Sequence, residues 1–430
     1  MPASAPERKE GSNARWLTRG VLGIGLASLF SDWGHEIGTA LLPLLLASFG
    51  APAYALGVIE GVADGASSFA KLAGGWIADR PAWRKPVAVL GYLLTGLSTF
   101  AFGFVTAWPQ ILVARAIGWT GRGARGPARD VLLADAVTPS QTGRAFGFER
   151  TMDTVGAVLG PLCAMALVAS AGMAIAMRWT LVPGALAALS FAALVPTRRR
   201  VESLAAKPFW ASLASLPTDF RKFLFAVALF GLGDFAHTLL ILRAVQLLTP
   251  QHGAARAGTI GVALYTFHNV IYAAGSYPAG ALGDRARGFW SRFGRRGILA
   301  SGYLLAAVMC AGFMILPRGR APHLFELIAL FGIAGLYVAI QDTLEKVVAA
   351  DLLPSEIRAT GFGVLATVNG IGDFVSSLTV GFLWSAVSPA AGFAYAGALM
   401  ALGGIIVARL PVKRRRSGVS ASMDEPNRTS

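Results

Sequence analysis

Near the start of the chain, Asp32, His35 and Glu36 stand at i, i+3 and i+4, the interval that puts three side chains on one face of a helix. Asp234 and His237 repeat the i, i+3 part of that pattern in the second half. A carboxylate beside an imidazole can exchange protons, because histidine titrates near neutral pH. The same pair can hold a divalent metal or a cationic solute, or it can simply share a hydrogen bond that packs the helix. His268, next to Asn269, is a lesser candidate of the same kind. A second chemistry is cationic. Arg115, Arg122, Arg125 and Arg129 fall in one segment, and the last three follow i, i+3, i+7 spacing, which makes a single stripe. Such a stripe can bind an anionic group of a solute or pair with Asp32 or Glu36. It can equally form a ladder of ion pairs to Glu60, Asp64, Glu149 and Asp153. The corresponding stretch of the second half holds Gln341, Asp342, Glu345 and Lys346, so the stripe is not duplicated.

Catalytic patterns are absent from the sequence. It contains no HExxH or GxSxG, and the glycine-arginine stretch from Gly121 to Gly126 lacks the GKS or GKT of a phosphate loop. Neither an enzyme nor a cofactor is expected. Cys163 and Cys310 both fall within apolar runs, which argues against a disulfide framework or a cysteine metal cage.

The elements that must position these groups are membrane helices. Of 430 residues, 54% are hydrophobic and only 14% charged, with a mean hydropathy of +0.57, whereas a soluble globular chain carries about 25% charged residues. Apolar runs near 20–48, 54–78, 86–106, 109–136, 144–170, 177–196, 221–248, 257–282, 297–316, 323–350, 359–385 and 391–410 are each long enough to cross a hydrocarbon core of about 30 Å. An ionisable group at mid-depth costs about 2.5–3.5 kcal/mol on insertion scales, so the polar residues above should face protein or water and mark a pathway.

Basic residues concentrate in alternate loops, and positively charged short loops stay in the cytoplasm. Arg8, Lys9, Arg15 and Arg19 precede the first run. Arg80, Arg84 and Lys85 follow the second, Arg198, Arg199, Arg200 and Lys207 the sixth, Arg285 to Arg296 the eighth, and Lys413 to Arg416 the last. Both termini are therefore expected in the cytoplasm. The polar start, residues 1–15, lacks a signal-peptide cleavage site and reads as retained. The net charge of +15 follows from this topology and from contact with anionic lipid, and no nucleic-acid platform is expected.

Three alignments point to duplicated halves. Gly75-Trp76-Ile77-Ala78-Asp79-Arg80 matches Gly280-Ala281-Leu282-Gly283-Asp284-Arg285, about 205 residues apart. Asp32 to His35 matches Asp234 to His237. Asp135 to Pro139 with Gly143-Arg144 matches Asp351 to Pro354 with Arg358. The expected organisation is a cytoplasmic tail (1–19), a six-helix bundle (20–196), a cytoplasmic linker (197–220), a second six-helix bundle (221–410) and a cytoplasmic tail (411–430).

The Gly75 to Arg80 loop with Arg84 and Lys85 resembles the most widespread signature of the major facilitator superfamily, with Ala82 where the pattern has glycine, and the loop after the eighth run resembles its second copy. Gly156 to Gly160 followed by Pro161 resembles the superfamily's antiporter-associated motif. Glu60-Gly61, Lys71, Arg122 to Arg125, Arg129-Asp130, Gly143 to Phe148 and Met152-Asp153 resemble a prokaryotic subgroup that is largely uncharacterised. The resemblance implies an all-α membrane protein of about twelve transmembrane helices in two pseudo-symmetric bundles around a central cavity, working by alternating access.

That fold would bring the Asp32-His35 and Asp234-His237 faces across the cavity from each other. It gives Arg115 a part in proton coupling. It also implies a cytoplasmic gate of Asp79, Arg80, Arg84, Asp130, Arg144, Glu149, Arg150, Asp284 and Arg285, with Asp79 meeting the helix that starts near Arg358. Gly156, Gly160 and Pro161 are expected to pack or bend the fifth helix. The function expected is secondary transport of a small solute or ion in the prokaryotic inner membrane by a monomer, proton-coupled, with efflux favoured. A transition-metal or metal-chelate carrier is the alternative, and a membrane-embedded enzyme or sensor a remote one.

Overall fold

In the computed structural model, residues 16–51, 54–196, 208–285, 294–316 and 323–410 are described. Among them the regular structure is helical throughout: α1 (Arg19–Ser48), α2 (Tyr54–Ala78), α3 (Pro81–Ala101), α4 (Trp108–Asp135), α5 (Thr142–Ala171), α6 (Met173–Trp179), α7 (Leu181–Leu194), α8 (Phe209–Ala214), α9 (Thr218–Gly231), α10 (Thr238–Arg285), α11 (Gly294–Ile315), α12 (Leu324–Leu352), α13 (Arg358–Ala386) and α14 (Pro389–Arg409). Local chemistry marks many of the ends. Prolines occupy the first turns of α3, α4 and α14, where a missing N–H costs nothing, and Ser388 Oγ caps α14 by accepting from the Ala391 amide at 3.2 Å. His323 and Glu326 form a reciprocal cap on α12.

These helices make twelve spans among the described residues, with α6 and α7 together forming the sixth. α9 and the first part of α10 make the seventh, and the rest of α10 is the eighth, because Gly253 (φ +72°) turns the chain back within α10. Seven segments pass as membrane-crossing helices on length and apolarity alone, among them Thr142–Ala171 and Gly294–Ile315. The spans that carry Asp32, Lys71 and the four arginines bury those groups inside the protein rather than against lipid.

Spans one to six form one bundle and seven to twelve the other, meeting along two related seams. In one, α2 packs on α13: a Cβ on Gly75 would stand 3.2 Å from the Ala359 carbonyl carbon, and one on Gly363 would be 2.6 Å from the Lys71 carbonyl oxygen. In the other, α5 packs on α10, where Gly143 and Gly280 bring the two backbones together. Only glycine allows such an approach.

One expectation needs correction. A continuous seventh span over 221–248 does not form, because α9 stops at Gly231 and α10 starts at Thr238. Gly233 presses on the Ala396 carbonyl of α14, with its would-be Cβ at 2.6 Å, and the Ala236 amide is taken by Ser377 Oγ of α13 at 3.0 Å. Asp234 therefore sits in a break and shares no helical face with His237. Within the linker expected over 197–220 lie α8 and the start of α9. Residues 197–207, like the expected tails at 1–15 and 411–430, lie outside the described residues.

Candidate functional site

One end of the molecule is closed by two clamps of one design. Asp79 follows α2 directly, and its Oδ1 accepts from the backbone amides of Ala359 at 2.9 Å and Thr360 at 3.1 Å, while the Thr360 hydroxyl donates to Oδ2. A carboxylate at the N-terminus of α13 is favoured by the helix dipole. Burial nevertheless pushes the Asp79 carboxyl up to about 6, against the pull of those hydrogen bonds and of nearby Arg84. In the second clamp, Asp284 accepts from the amides of Gly143 and Arg144, both at 2.8 Å, at the start of α5. Arg295 reinforces it at 2.8 Å. Between the clamps, Asp135 bridges Arg84 (2.9 Å) and Arg358 (2.8 Å), tying the two bundles again.

Above this closed end lies a cavity of about 390 Å³ between the bundles. Six cations line it, Lys71, Arg122, Arg125, Arg129, Arg150 and Lys346, together with six acids, Asp64, Asp130, Asp153, Asp342, Glu345 and Asp373. On the N-terminal side most of the charges are tied into ion pairs. Arg122 grips Asp32 with two contacts at 2.8 and 3.3 Å. Arg129 holds Glu149 at 2.7 Å and Asp130 at 3.0 Å, and Arg150 holds Asp153 at 2.8 Å. Two further pairs cross between the bundles, Asp130 with Lys346 at 3.2 Å and Arg150 with Asp342 at 3.7 Å.

The C-terminal side holds its acids differently. Glu345 accepts from the Tyr303 hydroxyl and from Asn369 Nδ2 at 2.7 Å. Asp234 accepts from the Tyr337 hydroxyl at 3.2 Å and Gln341 Nε2 at 3.0 Å. All four donors are neutral. His237 Nε2 lies 2.9 Å from the Tyr337 hydroxyl, and its ring is 4.9 Å from that of His268.

Two cations lining the cavity have no carboxylate within 4 Å among the described residues. The Lys71 ammonium reaches across the seam to the Ala366 carbonyl at 3.5 Å, and Asp373 and Asp64 act on it only through space. Arg125 turns into the N-terminal bundle, over the Tyr92 ring at 4.1 Å and against Thr95 Oγ1 at 3.2 Å.

Of the residues singled out by spacing, only Arg122 and Arg125 line the cavity among those assigned to solute or proton coupling. The joint cluster of Asp32, His35, Asp234 and His237 does not assemble, since Asp32 is taken by Arg122 and Asp234 by Tyr337 and Gln341. His35 packs beside Trp119 and stands 3.7 Å from Glu36, outside the cavity lining. Arg115 pairs with Glu60 at 2.8 Å and lies over Trp119, also away from the cavity. The arginine stripe is no common surface, because each member takes a different partner. Asp130 and Arg150, expected at the gate, line the cavity instead. Glu149 is buried behind it with Arg129 and Ser28. Arg80 lies over Trp76 at 4.6 Å, and Arg285 is exposed outside both clamps. Gly156 and Gly160 meet the α1 backbone around Leu29, Trp33 and Glu36, which makes them sites of close approach, and Pro161 remains inside α5. Lys71 stands in the sequence only within the subgroup resemblance, and Glu345 only within the stretch that corresponds to the arginine stripe. Asn369 and Asp373 carry no motif, and their one sequence signal is a polar group within an apolar run. No three His, Cys, Asp or Glu side chains among the described residues gather to hold a metal ion.

The family model described as Major Facilitator Superfamily matches residues 22–285 and 223–429. The chain belongs to the major facilitator superfamily. An uncharacterised MFS-type transporter of Methanocaldococcus jannaschii is 27% identical over 404 residues, covering 93% of this chain and 97% of the relative. A probable 4-methylmuconolactone transporter of Cupriavidus pinatubonensis is 26% identical over 334 residues, 75% of this chain and 73% of the relative. Among solved structures, the fucose:proton symporter of E. coli superposes with a TM-score of 0.70 at 16% identity, over 91% of this chain and 98% of the symporter. Family and fold make this MFS protein an integral membrane secondary transporter.

Proposed function

We propose that this protein is a proton-coupled carrier that moves a small anionic solute through the central cavity by alternating access, with export as its direction. Lys71 carries the reading: an ammonium in the cavity wall whose hydrogen bond among the described residues is one long contact to a carbonyl, beside the Arg122 guanidinium. A carboxylate or similar group on the solute would satisfy it. The named solute of the Cupriavidus relative, 4-methylmuconolactone, is a small organic molecule of the size such a cavity takes. Glu345 is the proposed proton carrier, because it lines the same cavity and its neutral donors let its charge change without leaving a buried cation unpaired. Export rests on the resemblance of Gly156 to Pro161 to an antiporter motif. The clamp end, with the basic loops, is placed in the cytoplasm of a prokaryotic cell. A single copy suffices, since both bundles and the cavity belong to one chain.

The test is uptake into proteoliposomes with an imposed pH gradient. Labelled carboxylates should accumulate and compete with one another, with amines and neutral sugars ineffective. Accumulation indifferent to the pH gradient, or competition by amines alone, would sink the proposal.

A further inference from the structure

On the outer surface, remote from the central cavity, α9 and α14 enclose a groove of about 500 Å³ at the basic end of the molecule. Its polar rim is Arg221 and Lys222 from the first turns of α9 and Arg409 from the last turn of α14, with the Thr218 hydroxyl between them. Among the described residues no carboxylate lines it. Arg221 donates to the Ala214 carbonyl, and neither Lys222 nor Arg409 has an ion pair among the described residues. Below the rim the wall turns apolar with Phe225 and Ile406. Phe225 is 60% exposed, and Leu402 and Ile405, 44% and 41% exposed, continue the same strip along α14. The two helices close the floor through Gly403, whose would-be Cβ stands 3.0 Å from the Ala226 carbonyl.

We infer that this groove is a binding site for the phosphate headgroup of an anionic phospholipid, with an acyl chain laid along Phe225 and Ile406. Charge chooses the headgroup: three cations without an acid attract a phosphate and gain nothing from a zwitterionic choline lipid. Depth chooses lipid over a free anion, because the cations sit at the end of a hydrocarbon-facing strip, where an amphiphile satisfies both parts and a soluble phosphate only one. Tethering α9 to α14 in this way ties the two ends of the C-terminal bundle, and α9 leads directly into the break that holds Asp234.

Delipidated full-length protein titrated with phosphatidylglycerol or phosphatidylcholine of matched chains, and followed by native mass spectrometry, tests the assignment. The first phosphatidylglycerol should bind more tightly than phosphatidylcholine, and each cation removed in Arg221→Gln, Lys222→Gln and Arg409→Gln should weaken it about fivefold. Arg409→Lys should retain most of the affinity, and Arg256→Gln, an exposed cation elsewhere, should bind as the parent does. Thermal unfolding without lipid identifies any variant that fails to fold, and the single substitutions then carry the test. Unchanged affinity in the triple variant overturns the site, as does equal binding of phosphatidylcholine. Displacement by millimolar inorganic phosphate would make it a free-anion site. Tight phosphatidylglycerol binding only after removal of residues 411–430 would make the chain's own terminus the occupant. Both outcomes count against the proposal.

Discussion

The two walls of the central cavity carry charge by opposite means. On the N-terminal side most acids meet guanidinium groups: Asp32 meets Arg122, Glu149 meets Arg129, and Asp153 meets Arg150. On the C-terminal side Glu345 and Asp234 meet phenols and amides. A buried ion pair fixes both charges, since removing either leaves the other stranded in a low dielectric. A carboxylate held by neutral donors can gain or lose a proton without stranding a counter-charge, at the cost of rearranged hydrogen bonds and of its own desolvation. One wall is thus built to keep its charge and the other to change it.

The sharpest way to break that contrast is to neutralise one acid on each side. Glu149→Gln leaves Arg129 with Asp130 as its acid partner at 3.0 Å and should lower stability by about 1.5–3 kcal/mol, measured by thermal or denaturant unfolding in detergent. Glu345→Gln should cost under about 1.5 kcal/mol while abolishing proton-driven accumulation and preserving solute exchange. If Glu345→Gln still accumulates solute against a pH gradient, or proves the more destabilising of the two, the division of labour between the walls is wrong.

Lys71 tests the contrast from the solute side. Because it has no acid partner, Lys71→Gln should leave stability nearly unchanged but weaken solute affinity about tenfold, the loss expected when one charge-assisted hydrogen bond is removed. A fall in turnover with affinity intact would make Lys71 a seam residue between α2 and α13 instead of a solute contact.

The difference between the walls is what the sequence reveals least. The twelve spans and the duplicated halves are legible because hydrophobic length and the repeat around Asp79 and Asp284 are local signals. The neighbourhood of Asp79 comes from the resemblance of its loop to the superfamily signature, which implies a meeting with the helix that starts near Arg358, and not from the repeat itself. Helical periodicity, by contrast, puts Asp234 and His237 on one face and is blind to the backbone break between Gly231 and Thr238, which depends on Gly233 meeting Ala396 of a distant helix. Likewise Arg122, Arg125 and Arg129 of α4 make one stripe on a wheel, yet Arg122 and Arg129 take acids from different helices and Arg125 takes none. Glu345 and Lys71 gain meaning only when Asn369 and Ala366 of α13 are brought against them.

The clamps extend the comparison, because Asp79 is a carboxylate of the second kind, held by amides and a hydroxyl. Burial raises it to about 6 in the closed clamp, whereas a carboxyl released into water returns to about 4. Closing therefore takes up a proton between those values. The closed clamp is favoured most below about 4, and it loses that advantage as the pH rises through about 6. Distance measurements between labels across the clamp end should show opening that increases over this interval. Asp79→Asn should flatten that dependence and alter transport rate more than solute preference. A pH profile unchanged by Asp79→Asn would assign the titration elsewhere.

The smallest effect is expected at the cation that fits neither wall's rule. Arg125 is 3% exposed, and it is stabilised by the Tyr92 ring and the Thr95 hydroxyl instead of an acid. A buried charge without a counter-charge contributes little net stability, so Arg125→Met should unfold within about 1 kcal/mol of the parent and on the stabilised side. Its effect on solute affinity discriminates more finely. If Lys71 and Arg122 form the anion contact, Arg125→Met should change affinity far less than Lys71→Gln, because the guanidinium points into the bundle between α3 and α4. An affinity loss at Arg125 equal to that at Lys71 would move the anion site one turn along α4 and make the N-terminal wall a binding surface over its whole length.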